Sequence, residues 1–413
     1  MKVFRLISLL LLVVVPPVVM LTWDKFDFSL FSEPPVPQKT VKPSPEELYE
    51  KRVDEGLQVF QQVYEQEQAR FRQEITEQWG EFREGAPSLW VSYEESGKFR
   101  RSVDYETGTV QVEMLIDQGT RLDQVKGEVD KAVYRLMNTT QKTAYASDVV
   151  ANRVEQKLGA LGDLLQTAPM SDERLFSMND FLALNIRHDG FIKVWYPAGN
   201  VAMTNIVAAQ KAGKEIVRVS FKIPDTLHKK ALKYATVVQA AAKKERLNEA
   251  LIYAIMETES SFNPMAKSYI PAYGLMQIVP RTAGKDATSY LYGKAKILAP
   301  SFLYQAENNI KIGAAYLHVL QYKYMRKVKN RESRMYCAIA AYNTGASNVA
   351  RAFIDKASFN KAVVEINKLS PQQVYQKLKK YLPQKETRKY IEKVAKRMQK
   401  YRPGKTGKGK PNS

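Results

Sequence analysis

Residues 247–264 constrain the fold of this chain more than any other stretch. Leu247, Ala250, Leu251, Ala254 and Ile255 recur at the spacing that buries one face of a helix. Asn248 stands where an N-cap is needed. Pro264 holds Asn263 away from helical geometry, so the helix is expected to stop near Ser261. Glu259 therefore lies at the end of a rigid helix, where a carboxyl can face a cleft. Partial desolvation of such a carboxyl favours its neutral form and raises its pKa. A general acid working near neutral pH needs that shift. Taken alone, Glu-Ser-Ser-Phe-Asn-Pro fits an exposed glutamate followed by an ordinary turn equally well.

Three further motifs follow in order. Gly274-Leu275-Met276-Gln277 comes first, then Ala341-Tyr342-Asn343-Thr344-Gly345, then Glu386-Thr387-Arg388-Lys389-Tyr390. With Glu259 to Pro264, this set resembles the catalytic domain of the soluble-type lytic transglycosylases, the goose-lysozyme-like cleavers of peptidoglycan. The resemblance spans roughly residues 225–401. It implies an all-helical, lysozyme-like domain with a groove for peptidoglycan glycan strands.

The resemblance also implies a chemistry. Most glycoside hydrolases flank the scissile bond with two carboxylates. Here no second Asp or Glu stands close in sequence to the Gly-Leu-Met-Gln or Ala-Tyr-Asn motifs. In the lytic transglycosylases one Glu protonates the glycosidic oxygen between N-acetylmuramic acid and N-acetylglucosamine. It then takes the proton of the muramyl C6 hydroxyl, which closes onto C1 as a 1,6-anhydro ring. Glu259 matches that acid/base. Ser260, Ser268, Met276, Gln277, Tyr342, Asn343 and Tyr390 match substrate-binding positions, with Ser268 favoured over Ser260 as a contact. Tyr273 stands where many relatives have a small residue, and is expected to narrow a subsite. Two other readings stay open. One is a muramidase that uses water, with Asp286 and Glu307 as weak candidates for its second acid. The other is a non-enzymatic wall-binding scaffold, against which the intact Glu259 argues.

Charge narrows the partners. The formal net charge is +20, and Lys377 to Ser413 alone carry fourteen basic and two acidic residues. No recognisable nucleic-acid motif accompanies them, so a polyanionic wall or an anionic membrane surface is the expected partner. Three His and one Cys leave no metal-site spacing, and His188 has no ligand-like neighbours. No cofactor is expected. Cys337 sits in an apolar run and is expected to be a buried helix residue.

Lys2 and Arg5 precede an apolar run from Leu6 to Leu21, broken by Ser8 and Pro16-Pro17. No small-residue cleavage site follows, and Trp23 suits a membrane interface. An uncleaved inner-membrane anchor at residues 1–22 is expected over a cleaved signal, with the body on the periplasmic side. The two-domain layout resembles the transglycosylase C group of this family. Those members carry a lipid-modified Cys after the signal, whereas this chain has no Cys before Cys337.

Residues 23–44 read as a Pro-rich tether. Residues 45–223 read as an α+β accessory domain. It opens with a long amphipathic helix bearing Leu48, Leu57, Phe60, Val63, Tyr64, Phe71, Ile75, Trp79 and Phe82. Strands are expected at Leu89–Tyr93, Phe99–Tyr105, Thr109–Ile116, Val201–Ile206 and Ile216–Ile223, and helices at Leu122–Met137 and Ser147–Leu165. Residues 224–402 read as all-α. Helices are expected at Thr226–Lys244, Leu247–Thr258, Ile310–Tyr324, Glu332–Tyr342, Ser347–Ile354, Pro371–Tyr381 and Lys385–Tyr401. Residues 403–413 form a basic tail expected to be disordered.

Overall fold

A helix of 35 residues, α1 (Pro45–Trp79), opens the N-terminal half. Pro45 at its first turn and Glu46 and Glu47 beside it suit a helix N-terminus. No Pro interrupts it, so it extends about 52 Å. Val53, Leu57, Phe60, Tyr64, Ile75 and Trp79 form its buried stripe. The computed structural model describes residues 42–94, 96–176, 203–223 and 231–402 of the protein. From Pro45 onward the chain is one compact unit.

After α1 come β1 (Leu89–Tyr93), β2 (Phe99–Asp104) and β3 (Thr109–Asp117), then α2 (Leu122–Met137), α3 (Gln141–Ala146) and α4 (Val149–Leu158). A short β4 (Leu165–Gln166) precedes β5 (Met203–Ala208) and β6 (Lys214–Lys222). The sheet is antiparallel in the order β1-β2-β3-β6-β5. Its register places Val110 opposite Phe221 and Val112 opposite Val219, and all four are buried. The alternate positions align Arg100, Glu113 and Arg218 across three strands, where both arginines pair with Glu113 at 2.7 Å. The N-terminal half is α+β, as its strand and helix pattern predicts.

The C-terminal half is mostly helical. It contains α5 (Ala235–Glu245), α6 (Glu249–Ser260), α7 (Lys285–Tyr292), the two-residue β7 (Ile297–Leu298), α8 (Pro300–Tyr304) and α9 (Ala306–His318). Then follow α10 (Arg331–Thr344), α11 (Ala346–Arg351), α12 (Phe359–Ile366), α13 (Pro371–Tyr381) and α14 (Lys385–Met398). π-helical turns at Pro280–Gly284 and Val319–Tyr324 flank α7 and extend α9. Cys337 is fully buried in α10.

One hydrophobic core joins the two halves. It includes Phe60 and Tyr64 of α1, Tyr273, Ile297 of β7 and Tyr304 of α8. β4 pairs with β7 in parallel, Leu165 opposite Ile297 and Gln166 opposite Leu298. Gly56 of α1 lies close against β7: a Cβ there would stand 2.5 Å from the Ile297 Cδ1, and that side-chain end would have to shift. The short α3, α7, α8 and α12 and the β4–β7 pair go beyond the helices and strands read from periodicity. The apolar run at 6–21, His188 and the tail at 403–413 lie outside the described residues, as do residues 224–230 around the expected domain boundary.

Candidate active site

Helix α6 ends as its sequence dictates. The Asn248 side chain accepts from the Ala250 amide at 2.9 Å, and Ser261 takes the left-handed C-cap conformation with φ +52°. The last turn presents Glu259, half-buried. The Tyr390 hydroxyl donates to its Oε1 at 2.6 Å from α14. Burial pushes the Glu259 carboxyl up to about 7, and the charge of exposed Glu386 pushes the same way against the Tyr390 bond. Such a carboxyl exists in both protonation states near neutral pH.

The Gly-Leu-Met-Gln loop is fastened directly beneath this turn. Ser260 Oγ bonds the Leu275 carbonyl at 2.8 Å and the Met256 carbonyl at 3.0 Å. It is 1% exposed, so it ties helix to loop. Tyr342, half-buried on α10, donates to the Met276 carbonyl at 2.8 Å. Gly274 has φ +74°, and a Cβ there would meet the Asn309 side chain at 2.3 Å and the Leu303 carbonyl at 2.5 Å. Glycine is therefore required at this position. Gln277 is also left-handed, with φ +47°, and its Nε2 donates to the Gly274 carbonyl at 3.1 Å. Only 8% of Gln277 is exposed, and Met276 is fully buried.

Asn343 is exposed, and its Oδ1 accepts from Thr387 Oγ1 at 2.7 Å, which joins α10 to the start of α14. The structure thus brings Glu259, Ser260, Met276, Gln277, Tyr342, Asn343 and Tyr390 into one connected constellation. Ser268 stands apart from these bonds. Its hydroxyl bonds the Ile270 carbonyl of its own loop, and its carbonyl accepts from Tyr64 of α1 at 2.9 Å. Tyr273 does not narrow a subsite. It is fully buried, edge-on against Phe60, Tyr64 and Tyr304, because α1 packs over it.

Sequence reasoning missed Asn309. This fully buried amide accepts from the Met276 N–H at 2.8 Å and donates to the Tyr273 and Leu303 carbonyls, each at 2.8 Å. A signal was present, since Asn309 shares a helical stripe with Ile312, Gly313 and Tyr316, and a polar residue among them calls for a buried partner. The two weak candidates for a second acid differ in setting. Asp286 accepts from Tyr324 at 2.9 Å and is raised by burial, and Glu307 is exposed.

A carboxyl raised toward neutral pH by burial and bonded to a tyrosine hydroxyl can both give and take a proton. Residues 236–364 match the Transglycosylase SLT domain family. The chain is 45% identical over 180 residues to membrane-bound lytic murein transglycosylase C of Yersinia pestis (strain Pestoides F). That alignment covers 44% of this chain and 49% of the relative. Its counterpart in Yersinia pseudotuberculosis gives the same figures, 45% over 180 residues, 44% and 49%. The chain thus spans about half the length of the curated relatives it matches. Among solved structures, an inactive mutant of the lytic transglycosylase Slt from Pseudomonas aeruginosa is 28% identical with a TM-score of 0.29, over 40% of this chain and 23% of that one.

Proposed function

We propose that this protein is a lytic transglycosylase that cleaves the MurNAc-β-1,4-GlcNAc bond of peptidoglycan and leaves 1,6-anhydromuramyl ends. The observation that carries the reading is Glu259, held by Tyr390 with its pKa near 7. The SLT domain match and the names of the curated relatives support it. Glu259 begins protonated and gives its proton to the glycosidic oxygen as the C1–O bond breaks. The muramyl C6 hydroxyl attacks C1, and the Glu259 carboxylate takes its proton. The carboxyl thus returns to its starting state, and no water is consumed. Intramolecular attack by the C6 hydroxyl carries a large proximity advantage, so one carboxyl suffices.

The test is digestion of purified sacculi followed by mass spectrometry of the released muropeptides. Wild-type protein is expected to release anhydromuropeptides. Glu259→Gln keeps the shape and loses the proton, and general acid/base loss of this kind costs about 10²–10⁴-fold. Near-normal turnover by that variant would end the assignment. Reducing ends in place of anhydro ends would make the protein a muramidase.

The same reading places the enzyme on the periplasmic side of the envelope, with residues 1–22 as an anchor in the inner membrane. The apolar run Leu6–Leu21 motivates it, and the relatives' name, membrane-bound lytic murein transglycosylase C, agrees with an envelope site. N-terminal sequencing of protein from fractionated membranes tests it. A mature start beyond residue 22 with the protein in the soluble fraction would refute the anchor.

A further inference from the structure

The loop between Glu259 and Gly274 is held from outside the SLT domain. Its Lys267 pairs with Asp148, the N-cap residue of α4 in the N-terminal half, at 2.7 Å. The Tyr304 hydroxyl donates to the second oxygen of Asp148 at 2.8 Å. Burial opposes ionisation of Asp148, but Lys267, the Ala151 amide and Tyr304 outweigh it and hold the carboxyl below the ordinary range. Two more bonds reach the same loop. Tyr64 donates to the Ser268 carbonyl at 2.9 Å, and Asn263 Nδ2 donates to the Pro87 carbonyl at 3.0 Å. A second carboxylate on α4, Glu155, accepts from the Ser301 amide at 3.0 Å and its hydroxyl at 2.8 Å.

What these bonds hold is coupled to the candidate site. Lys267 faces Tyr273, and Tyr273 faces Ile278, in a small folded ladder. The Gly274 amide donates to the Ala266 carbonyl at 2.8 Å, and the Ile278 amide to the Tyr273 carbonyl at 3.0 Å. Gly274 to Gln277 therefore form the turn between Tyr273 and Ile278, and Tyr273 is itself bridged to Lys267. Two left-handed residues, Gly274 and Gln277, must be kept in place there.

We propose that the N-terminal half is a working part of the active site, in which Asp148 of α4 acts as a positioning residue that sets the Gly274–Gln277 loop through Lys267. It rests on the reading of Glu259 as the acid. The consequence is that turnover depends on a residue remote in sequence from the SLT domain, with no contact of its own to the glycan.

Full-length Asp148→Asn and Asp148→Glu test it. Asparagine keeps the N-cap acceptor and the size but leaves Lys267 without its charge partner. Displacing a positioned group costs about ten- to a hundredfold in rate. Asp148→Asn is therefore expected to lower the maximal rate of sacculus digestion by that factor, with the half-saturating amount of sacculi within about threefold. Hydrogen exchange at Gly274 and Ile278 is expected to rise by about tenfold or more while α9 and α10 keep their protection. Asp148→Glu is expected to restore part of both. An unchanged rate with unchanged exchange at 266–278 would overturn the proposal. Protection lost evenly over the whole chain would do the same, because it would make Asp148 a stabilising residue only. If Glu259→Gln digests sacculi like wild type, the acid assignment falls, and the exchange measurement still decides whether Asp148 sets the loop.

Discussion

Glu259 stands between two neighbours that pull its ionisation in opposite directions. The Tyr390 hydroxyl donates to the carboxylate and lowers its pKa, while the Glu386 charge raises it. An acid that must start protonated loses activity as pH rises through its pKa, and the pH dependence of kcat/KM reports the free enzyme. Removing the donor in Tyr390→Phe raises the pKa, so the alkaline limb is expected to move to higher pH. Removing the charge in Glu386→Gln lowers it, so the limb is expected to move to lower pH. Tyr390→Phe should also cost about tenfold in maximal rate, because a hydrogen bond to a charged group is worth roughly 1.5–3 kcal/mol. Rate profiles of soluble muropeptide release between pH 5 and 9 check both signs, with the wild-type alkaline limb expected at about 7. A limb that stays put in both variants would show that neither residue acts through Glu259.

At the scale of elements, α6 and α14 are locked by a second glutamate one half-turn before the acid. Glu257 is 3% exposed, pairs with Arg397 at 3.1 Å and Lys400 at 2.7 Å, and accepts from the Tyr401 hydroxyl at 2.7 Å. Arg397 also donates to the Glu257 carbonyl at 3.1 Å. Lys400 is half exposed, so solvent screens its pairing and Lys400→Gln is expected to cost under about 1 kcal/mol. Glu257→Ala leaves the largely buried Arg397 uncompensated, and breaking such a pair costs about 3–5 kcal/mol. Denaturant unfolding of the two variants measures the difference. Equal costs would mean that the clamp holds nothing.

This clamp shows what the sequence could and could not reveal. The end of α6 was legible because its signals are local, with Asn248 before it, the apolar spacing within it and Pro264 after it. Tyr390 was legible through a motif. Asn309 and Glu257 were not, because each needs a partner far away in the chain, and a single polar residue in a helix does not name its partner. The β4–β7 pair was missed for a related reason, since two residues carry no periodicity. Tyr273 was misread because the position invites a subsite role, and only the packing of α1 above it shows that the ring serves the core.

At the scale of the molecule, the two halves behave as one body. Relative domain motion is the usual expectation when an interface is small and polar. Here the interface is a continuous core, with Tyr273 and Tyr304 set against Phe60 and Tyr64 and with strand pairing across it. Calorimetry of the full chain is therefore expected to show one unfolding transition for both halves. Tyr273 separates packing from polarity within that interface. Among the described residues its hydroxyl is buried without a hydrogen-bond partner. A buried unsatisfied group costs about 1–3 kcal/mol, so Tyr273→Phe is expected to keep or raise the midpoint. Tyr273→Ala empties a site lined by three rings, a loss of about 3–5 kcal/mol, and is expected to lower the midpoint of the single transition by several degrees. Two separate transitions in the wild type would show that the halves fold independently. A large loss in Tyr273→Phe would show that the hydroxyl, not the ring, holds the interface.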